Sequence, residues 1–282
     1  MLGDIKKLIL NEWAADRASD DVTTQSVIGS NQRCEAAVIA RESGVFCGEF
    51  VCTCFGEQLG EQVSVDCAVR DGDVIEAGTQ LIRLEGNARL ILGVERTLIN
   101  FVSHLCGVAT LTNSFVCAVS PFPTKILATR KTLPGLRAVQ LIAVQAGGGY
   151  VHRRSLSDGI LIKDNHLAFT DEQTALDKAL RLHSPLHGVE IEVQSLTMLE
   201  KVLQNAPHVV MLDNMGPDDV QHAVKMINGR ARVEVSGGVR LEDVRRLAEL
   251  GVDYISVGQL THSARSLNLS LDILKVLPCP ES

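Results

Sequence analysis

Between residue 122 and about residue 260, short apolar runs alternate with amphipathic segments, and this alternation restricts the possible fold more than any other feature of the chain. KILAT (125–129), GILIK (159–163), VEIEV (189–193), HVVML (208–212), RVEVS (232–236) and YISVG (254–258) read as strands. Between them lie DEQTALDKALRLH, LTMLEKVLQNA, PDDVQHAVKMI and LEDVRRLAELG, whose apolar residues recur at helical spacing. Apolar strands alternating with helices make βαβ units, and such strands belong in a parallel sheet covered on both faces. The polar residues favour a barrel over a doubly wound sheet. Lys163 ends one run, Glu192 lies near the end of the next, Asp213 follows HVVML, and Ser236 and Gly258 end the last two. In an α/β barrel these equivalent points form a ring at the C-terminal mouth, where the active site lies.

The chain before residue 110 is patterned differently. CEAAVIAR (34–41), QVSVDCAV (62–69) and TQLIRLEG (79–86) are strand-like, separated by turn signals such as Asp71-Gly72-Asp73 and Ala77-Gly78. From about Asn87 to Val119, Leu90, Ile91, Val94, Leu98, Phe101, Val102 and Leu105 mark one face of a long helix. Gly107 is expected to bend or interrupt it, since a glycine there costs about 1 kcal/mol relative to alanine.

Charge narrows the function. Net charge is -7 and only 4% of residues are aromatic, which argues against a polyanion-binding or base-stacking surface and hence against a nucleic-acid partner. Yet between Lys125 and Lys163, seven basic residues (Lys125, Arg130, Lys131, Arg137, Arg153, Arg154, Lys163) face one acid, Asp158. That local excess reads as a focused site for a small anion. Arginine forks suit bidentate carboxylate binding, so two or three of these arginines converging with His152 and Lys163 on one mouth suit a ligand with two carboxylates. Ser236-Gly237-Gly238 and Gly258 fall where barrels commonly hold phosphate. Glu192 and Asp213 admit three readings: an acid/base couple, Mg²⁺ ligands beside a phosphate, or ion-pair partners of Lys163.

Eight scattered cysteines, including Cys279, form no CxxC pair, so free thiols of a reducing cytoplasm are expected, with Cys52 and Cys54 as packing residues. No signal peptide is read at the start, and no run approaches the roughly 18 apolar residues of a membrane span.

The segments ERTLINFVSHLCGVAT (95–110), TRKTLPGLR (129–137), GGGYVHRRSLSDGILIKDNH (147–166), VEIEV, MLDNM (211–215), VSGGV (235–239) and SVGQLTHS (256–263) closely resemble the type II quinolinate phosphoribosyltransferases, as do DVTT (21–24) and ARESGVFCG (40–48). The resemblance covers nearly the whole chain in order. It implies an α/β fold, an incomplete α/β barrel of six or seven strands (111–267) with an N-terminal α/β sandwich domain (1–110) rejoined by 268–282. It also implies a cytoplasmic homodimer that condenses quinolinate with 5-phosphoribosyl 1-diphosphate and Mg²⁺, releasing CO₂. By resemblance, Arg130, His152, Arg153 and Lys163 hold quinolinate, with Arg96 arriving from the partner subunit. Thr129, Lys131, Glu192, Asp213, Ser236, Gly237, Gly238, Gly258, Gln259, Leu260 and His262 surround the phosphoribosyl donor, Glu192 and Asp213 also serving the metal. Lys131, Lys163, Glu192 and Asp213 are the implied catalytic group. Two residues depart from the family. Val151 replaces a common Asn, with a changed orientation of the His152 ring expected, and Ser155 replaces a frequent Gly. Three alternatives compete: the molybdenum-operon relatives, a Schiff-base aldolase using Lys163, and a barrel that only binds a phosphorylated ligand.

Overall fold

A computed structural model describes residues 2–183 and 188–278. Cys279 and the end of the 268–282 segment lie outside them. The chain divides into two compact units, one of residues 1–111, 133–148 and 263–282 and one of residues 112–132 and 149–262.

The first unit begins with helices α1 (Leu2–Ala15) and α2 (Val22–Val27). Asp21 caps α2 by accepting from the Thr24 N–H at 3.0 Å, so the DVTT motif starts a helix. Next come strands β1 (Arg33–Ala40) and β2 (Gly44–Val45), helix α3 (Glu49–Leu59), and strands β3 (Val63–Cys67), β4 (Val74–Ile75) and β5 (Gln80–Asn87). Cys52 and Cys54 are buried in α3, as packing residues should be.

Helix α4 follows without a break over Ala88–Val119, where the sequence suggested an interruption at Gly107. The glycine serves packing instead. A Cβ at this position would lie 2.1 Å from the Arg265 carbonyl oxygen. The α4 helix is long and apolar enough to cross a membrane by composition alone, and half of its most apolar window is buried within the protein.

Downstream the chain runs through β6 (Lys125–Ala128), α5 (Arg137–Ala146), β7 (Tyr150–Val151), β8 (Ile160–Ile162), α6 (Asp164–Leu167), α7 (Glu172–Leu182), β9 (Val189–Val193), α8 (Leu196–Val202), β10 (Val209–Asp213), α9 (Pro217–Ile227), β11 (Arg232–Ser236), α10 (Leu241–Glu249), β12 (Tyr254–Val257), α11 (Gln259–His262) and β13 (Leu269–Leu277). Strands β13, β1, β5 and β3 form an antiparallel sheet in that order, within the first unit.

In the second unit, seven parallel strands lie in the order β7-β6-β12-β11-β10-β9-β8. The sheet curls as an incomplete barrel, and β7 and β8 remain its two edges. Local signals set the helices between the strands: Asp171 and Ser195 cap α7 and α8, and Pro217 opens α9 ahead of Asp218 and Asp219. The buried faces are mainly branched aliphatics, with Ile191, Val193, Val210, Leu212 and Ile255 fully enclosed.

Gly107→Ala tests the packing account. Alanine gains about 1 kcal/mol of helix propensity, but the clash with Arg265 should cost about 1–3 kcal/mol or more. A lowered urea midpoint is expected; a raised midpoint would show that the contact does not constrain α4.

Candidate active site

Strand register assembles the site. Ile162 of β8 stands opposite Ile191 of β9, so the next residues, Lys163 and Glu192, meet side by side. Lys163 Nζ donates to the Glu192 carboxylate, which is buried. The ion-pair reading of Glu192 is therefore realised in this structure. Asp213 ends β10 opposite Ser236 of β11 and accepts from Asn214 Nδ2 at 2.7 Å. The chain then turns closely: Gly237 has φ +94°, and a Cβ there would approach Asn214 Oδ1 to 2.4 Å. Only glycine fits.

On the other side, Val257 of β12 pairs with Ala128 of β6, which aligns Gly258 with Thr129. The main chain of Lys131 is tied down twice. Its N–H donates to Thr129 Oγ1 at 3.1 Å, and its carbonyl accepts from Thr261 Oγ1 at 2.8 Å.

These residues enclose a cavity of about 480 Å³ at the C-terminal ends of the strands. Thr129, Arg130 and Lys131 line it from the segment that follows β6, with His152, Arg153 and Lys163 beside them. Glu192 and Asp213 face across, and Ser236, Gly237 and Gly238 complete the wall. Gly258 and His262 are not among the lining residues, but a Cβ on Gly258 would lie 3.2 Å from Lys131 Cδ and 3.1 Å from His262 Nε2. Gln259 bonds the Val239 carbonyl at 3.2 Å, and Leu260 is fully buried; neither side chain lines the cavity. Arg96 lies on α4 with a largely exposed side chain, outside this lining.

Sequence reasoning missed Leu161, Met211, Asn214 and Ser256, which also line the cavity, and two acids below it. Glu190 and Glu234 are buried and reach His152 Nε2 at 2.8 and 3.4 Å. The available signal was a charge inside each apolar run, VEIEV and RVEVS. His152 is hooked to β6 by its own N–H, which donates to the Ala128 carbonyl at 3.3 Å. Its ring is therefore fixed by Glu190 and Glu234 from other strands, while the neighbouring Val151 serves as a residue of β7. Ser155 joins the next turn, donating its hydroxyl to Asp158 at 3.0 Å.

The electrostatics favour an anion. Burial, then the charge of Arg130, lowers the pKa of the Arg153 guanidinium, which still stays cationic. Arg130 Nε is buried with no hydrogen-bond partner among the described residues. Two neighbouring guanidiniums with an unmet donor are relieved when a carboxylate binds. Burial of the His152 ring opposes protonation, but hydrogen bonds and charge from Glu190 and Glu234 outweigh it and hold the pKa at about 10. Burial above all pushes the Glu190 carboxyl up, repulsion from Glu234 adds to this, and His152 pulls it back.

Fold and cavity together define an incomplete α/β barrel whose mouth pairs a basic side with a glycine-rich, acid-bearing side. Known proteins give the family. Residues 21–106 match the model described as quinolinate phosphoribosyl transferase, N-terminal domain, and residues 108–272 match that of the C-terminal domain. A Bacillus subtilis protein named probable nicotinate-nucleotide pyrophosphorylase [carboxylating] is 37% identical over 270 residues, covering 95% of this chain and 93% of its own. The Mycobacterium leprae nicotinate-nucleotide pyrophosphorylase [carboxylating] is 40% identical over 261 residues, covering 90% and 91%. The solved nicotinate-nucleotide pyrophosphorylase of Francisella tularensis superposes with a TM-score of 0.90 at 36% identity, covering 97% of both chains. The chain belongs to the quinolinate phosphoribosyltransferase family.

The raised His152 pKa makes a signed prediction. A group protonated more readily in the folded state stabilises fully below its unfolded value of about 6.5. That contribution is lost as pH rises through about 10. Urea unfolding between about pH 8 and 10 should show wild-type stability falling more steeply than that of His152→Asn. Parallel slopes would contradict it.

Proposed function

We propose that this chain transfers the phosphoribosyl group of 5-phosphoribosyl 1-diphosphate to quinolinate with decarboxylation, giving nicotinate mononucleotide, pyrophosphate and CO₂ in NAD biosynthesis. The observation that carries this reading is one cavity with two halves. Arg130, His152, Arg153 and Lys163 suit a dicarboxylate, and Lys131, Asp213, Ser236, Gly237 and Gly238 suit a phosphorylated sugar. The names of the relatives, pyrophosphorylase and carboxylating, describe this reaction from the product side.

In this reading Arg130, His152, Arg153 and Lys163 hold the two carboxylates and orient the pyridine nitrogen toward the anomeric carbon. The nitrogen lone pair forms the new C–N bond as the bond to the pyrophosphate oxygen breaks. Glu192 and Asp213 stabilise positive charge growing on the ribose, and Lys131 offsets the negative charge of the departing pyrophosphate. The ring nitrogen is now cationic and accepts the electron pair left when the adjacent carboxylate departs as CO₂. The electron pair then returns to that carbon to bond a proton taken from solvent, which replaces the carboxylate. This second step needs a held substrate and a cationic pocket more than a dedicated base. Thr129, Gly258, Gln259, Leu260 and His262 complete the donor side, the last four chiefly as the backbone and packing around Lys131.

Mg²⁺ takes hard oxygen ligands, and the donor set fits: one Asp213 oxygen accepts from Asn214, and the other has no hydrogen-bond partner among the described residues. Glu192 and Asp213 would hold the ion, directly or through diphosphate oxygens, and when bound it neutralises diphosphate charge.

We further read the chain as a homodimer in which the exposed Arg96 completes the neighbouring site. A cytoplasmic location is supported by seven free cysteines among the described residues. The aldolase alternative is disfavoured because Lys163 donates to a carboxylate and stands among arginines.

Incubation with quinolinate, phosphoribosyl diphosphate and Mg²⁺ should yield CO₂ and nicotinate mononucleotide; no product from the folded protein would refute the assignment. Lys163→Ala should abolish turnover, and near-normal steady-state rates would sink its role. Co-expressed Arg96→Ala and Lys163→Ala chains should regain activity. Random pairing into two-fold dimers gives roughly a quarter of the wild-type sites. Complementation no better than either parent would argue against a shared site.

A further inference from the structure

Glu190 and Glu234 take no part in the chemistry above, yet they are among the most expensive side chains in the protein. Each is a carboxylate inside the barrel, and each has one oxygen, Oε1, buried with no hydrogen-bond partner among the described residues. A buried carboxylate without partners is strongly destabilising, so retaining two beside each other calls for a specific gain.

Their geometry identifies the gain. The second oxygen of each points at a single atom, His152 Nε2, 2.8 Å from Glu190 and 3.4 Å from Glu234. His152 lies between two compartments. It lines the substrate cavity on one side and a second cavity of about 320 Å³, which Glu190 and Glu234 also line, on the other. With Nε2 committed to the carboxylates, Nδ1 is the ring nitrogen left for a ligand, and it has no partner among the described residues.

The protonation state then decides what the ring can bind. A neutral imidazole carrying its proton on Nε2 offers a lone pair at Nδ1, which repels a carboxylate. An imidazolium offers Nδ1–H, a charge-assisted donor. The charges around the ring oppose one another. Arg153 beside it and Arg130 at the end of β6 disfavour a third cation, while Glu190 from β9 and Glu234 from β11 favour it; Asp158 lies in the loop beyond. Contact with the two carboxylates outweighs the burial of the ring, consistent with its elevated pKa.

We propose that Glu190 and Glu234 are positioning residues, which fix the His152 ring and keep it doubly protonated so that Nδ1–H donates to a carboxylate of the pyridine substrate. The inference rests on the reading that His152 faces quinolinate. The two acids thus form an anionic support beneath a cationic binding surface. They never touch substrate, and they let three cationic side chains stand together without the ring losing its proton.

The test uses the intact enzyme. Protein labelled with ¹⁵N-histidine, with His152 assigned by the signal lost in His152→Asn, reports directly on the ring nitrogens. Near pH ~7.5 the wild-type ring should show both nitrogens protonated, and the Glu190→Gln/Glu234→Gln double variant a neutral ring protonated at Nε2. Glutamine keeps an acceptor for Nε2–H and the side-chain volume while removing the charge. The KM for quinolinate should then rise about tenfold or more, the worth of one charge-assisted hydrogen bond. The KM for phosphoribosyl diphosphate should stay within roughly twofold, because no hydrogen bond to that side is lost. A neutral His152 in the wild-type enzyme overturns the proposal without any variant having to fold. An unchanged quinolinate KM in the double variant, while His152→Asn raises it, overturns the positioning role alone. An unchanged quinolinate KM in His152→Asn overturns both this role and the reading of the site beneath it.

Discussion

The inward positions of an α/β barrel are normally filled by branched aliphatic side chains that pack its centre. Here Glu190 and Glu192 of one strand and Glu234 of another occupy such positions, and all three are buried. Carboxylates out of water must find partners. Two find His152 and one finds Lys163, and both of these cations also line the substrate cavity. The requirement to partner three buried carboxyl groups therefore places two of the basic side chains that line the cavity. Arg130 and Arg153 extend that surface, and Arg130 Nε is left with no hydrogen-bond partner among the described residues.

The glycine-rich side depends on backbone constraints more than on charge balance. Gly237 can have no side chain because Asn214 fills the space, and Asn214 in turn holds the carboxylate of Asp213. Gly258 leaves room for Lys131, whose main chain is fixed by Thr129 and Thr261. Thus Gln259 and Leu260, which contribute no side chain to the cavity, still belong to its construction: Leu260 of α11 is fully buried in the core and Gln259 anchors the loop at Val239.

Six barrel strands were legible within about one residue, because each is an apolar run with a polar end. The seventh, β7, is only Tyr150–Val151, too short to show any period. Strand β13 went unread for a different reason. A register shift between Glu35 and Ala36 interrupts its pairing with β1, and Ile273, Leu274 and Val276 are exposed, so no clean alternation survives. At Gly107 the penalty for glycine in a helix was visible but its compensation, the close approach of Arg265, was not. Within the cavity, Lys163, Glu192, Asp213 and Ser236 were legible because strand ends carry function. Glu190 and Glu234 were not, since a charge inside an apolar run acquires meaning only once His152, from a distant segment, is seen between them. Arg96 came from family resemblance alone.

The central claim is that the mouth of the barrel is built for two carboxylates on one small ring. Calorimetric titration of the enzyme with quinolinate and with nicotinate, which lacks the second carboxylate, tests it most directly. A lost carboxylate removes at least one charge-assisted hydrogen bond, so nicotinate should bind about tenfold to a hundredfold more weakly. Equal affinities for the two acids would contradict the account.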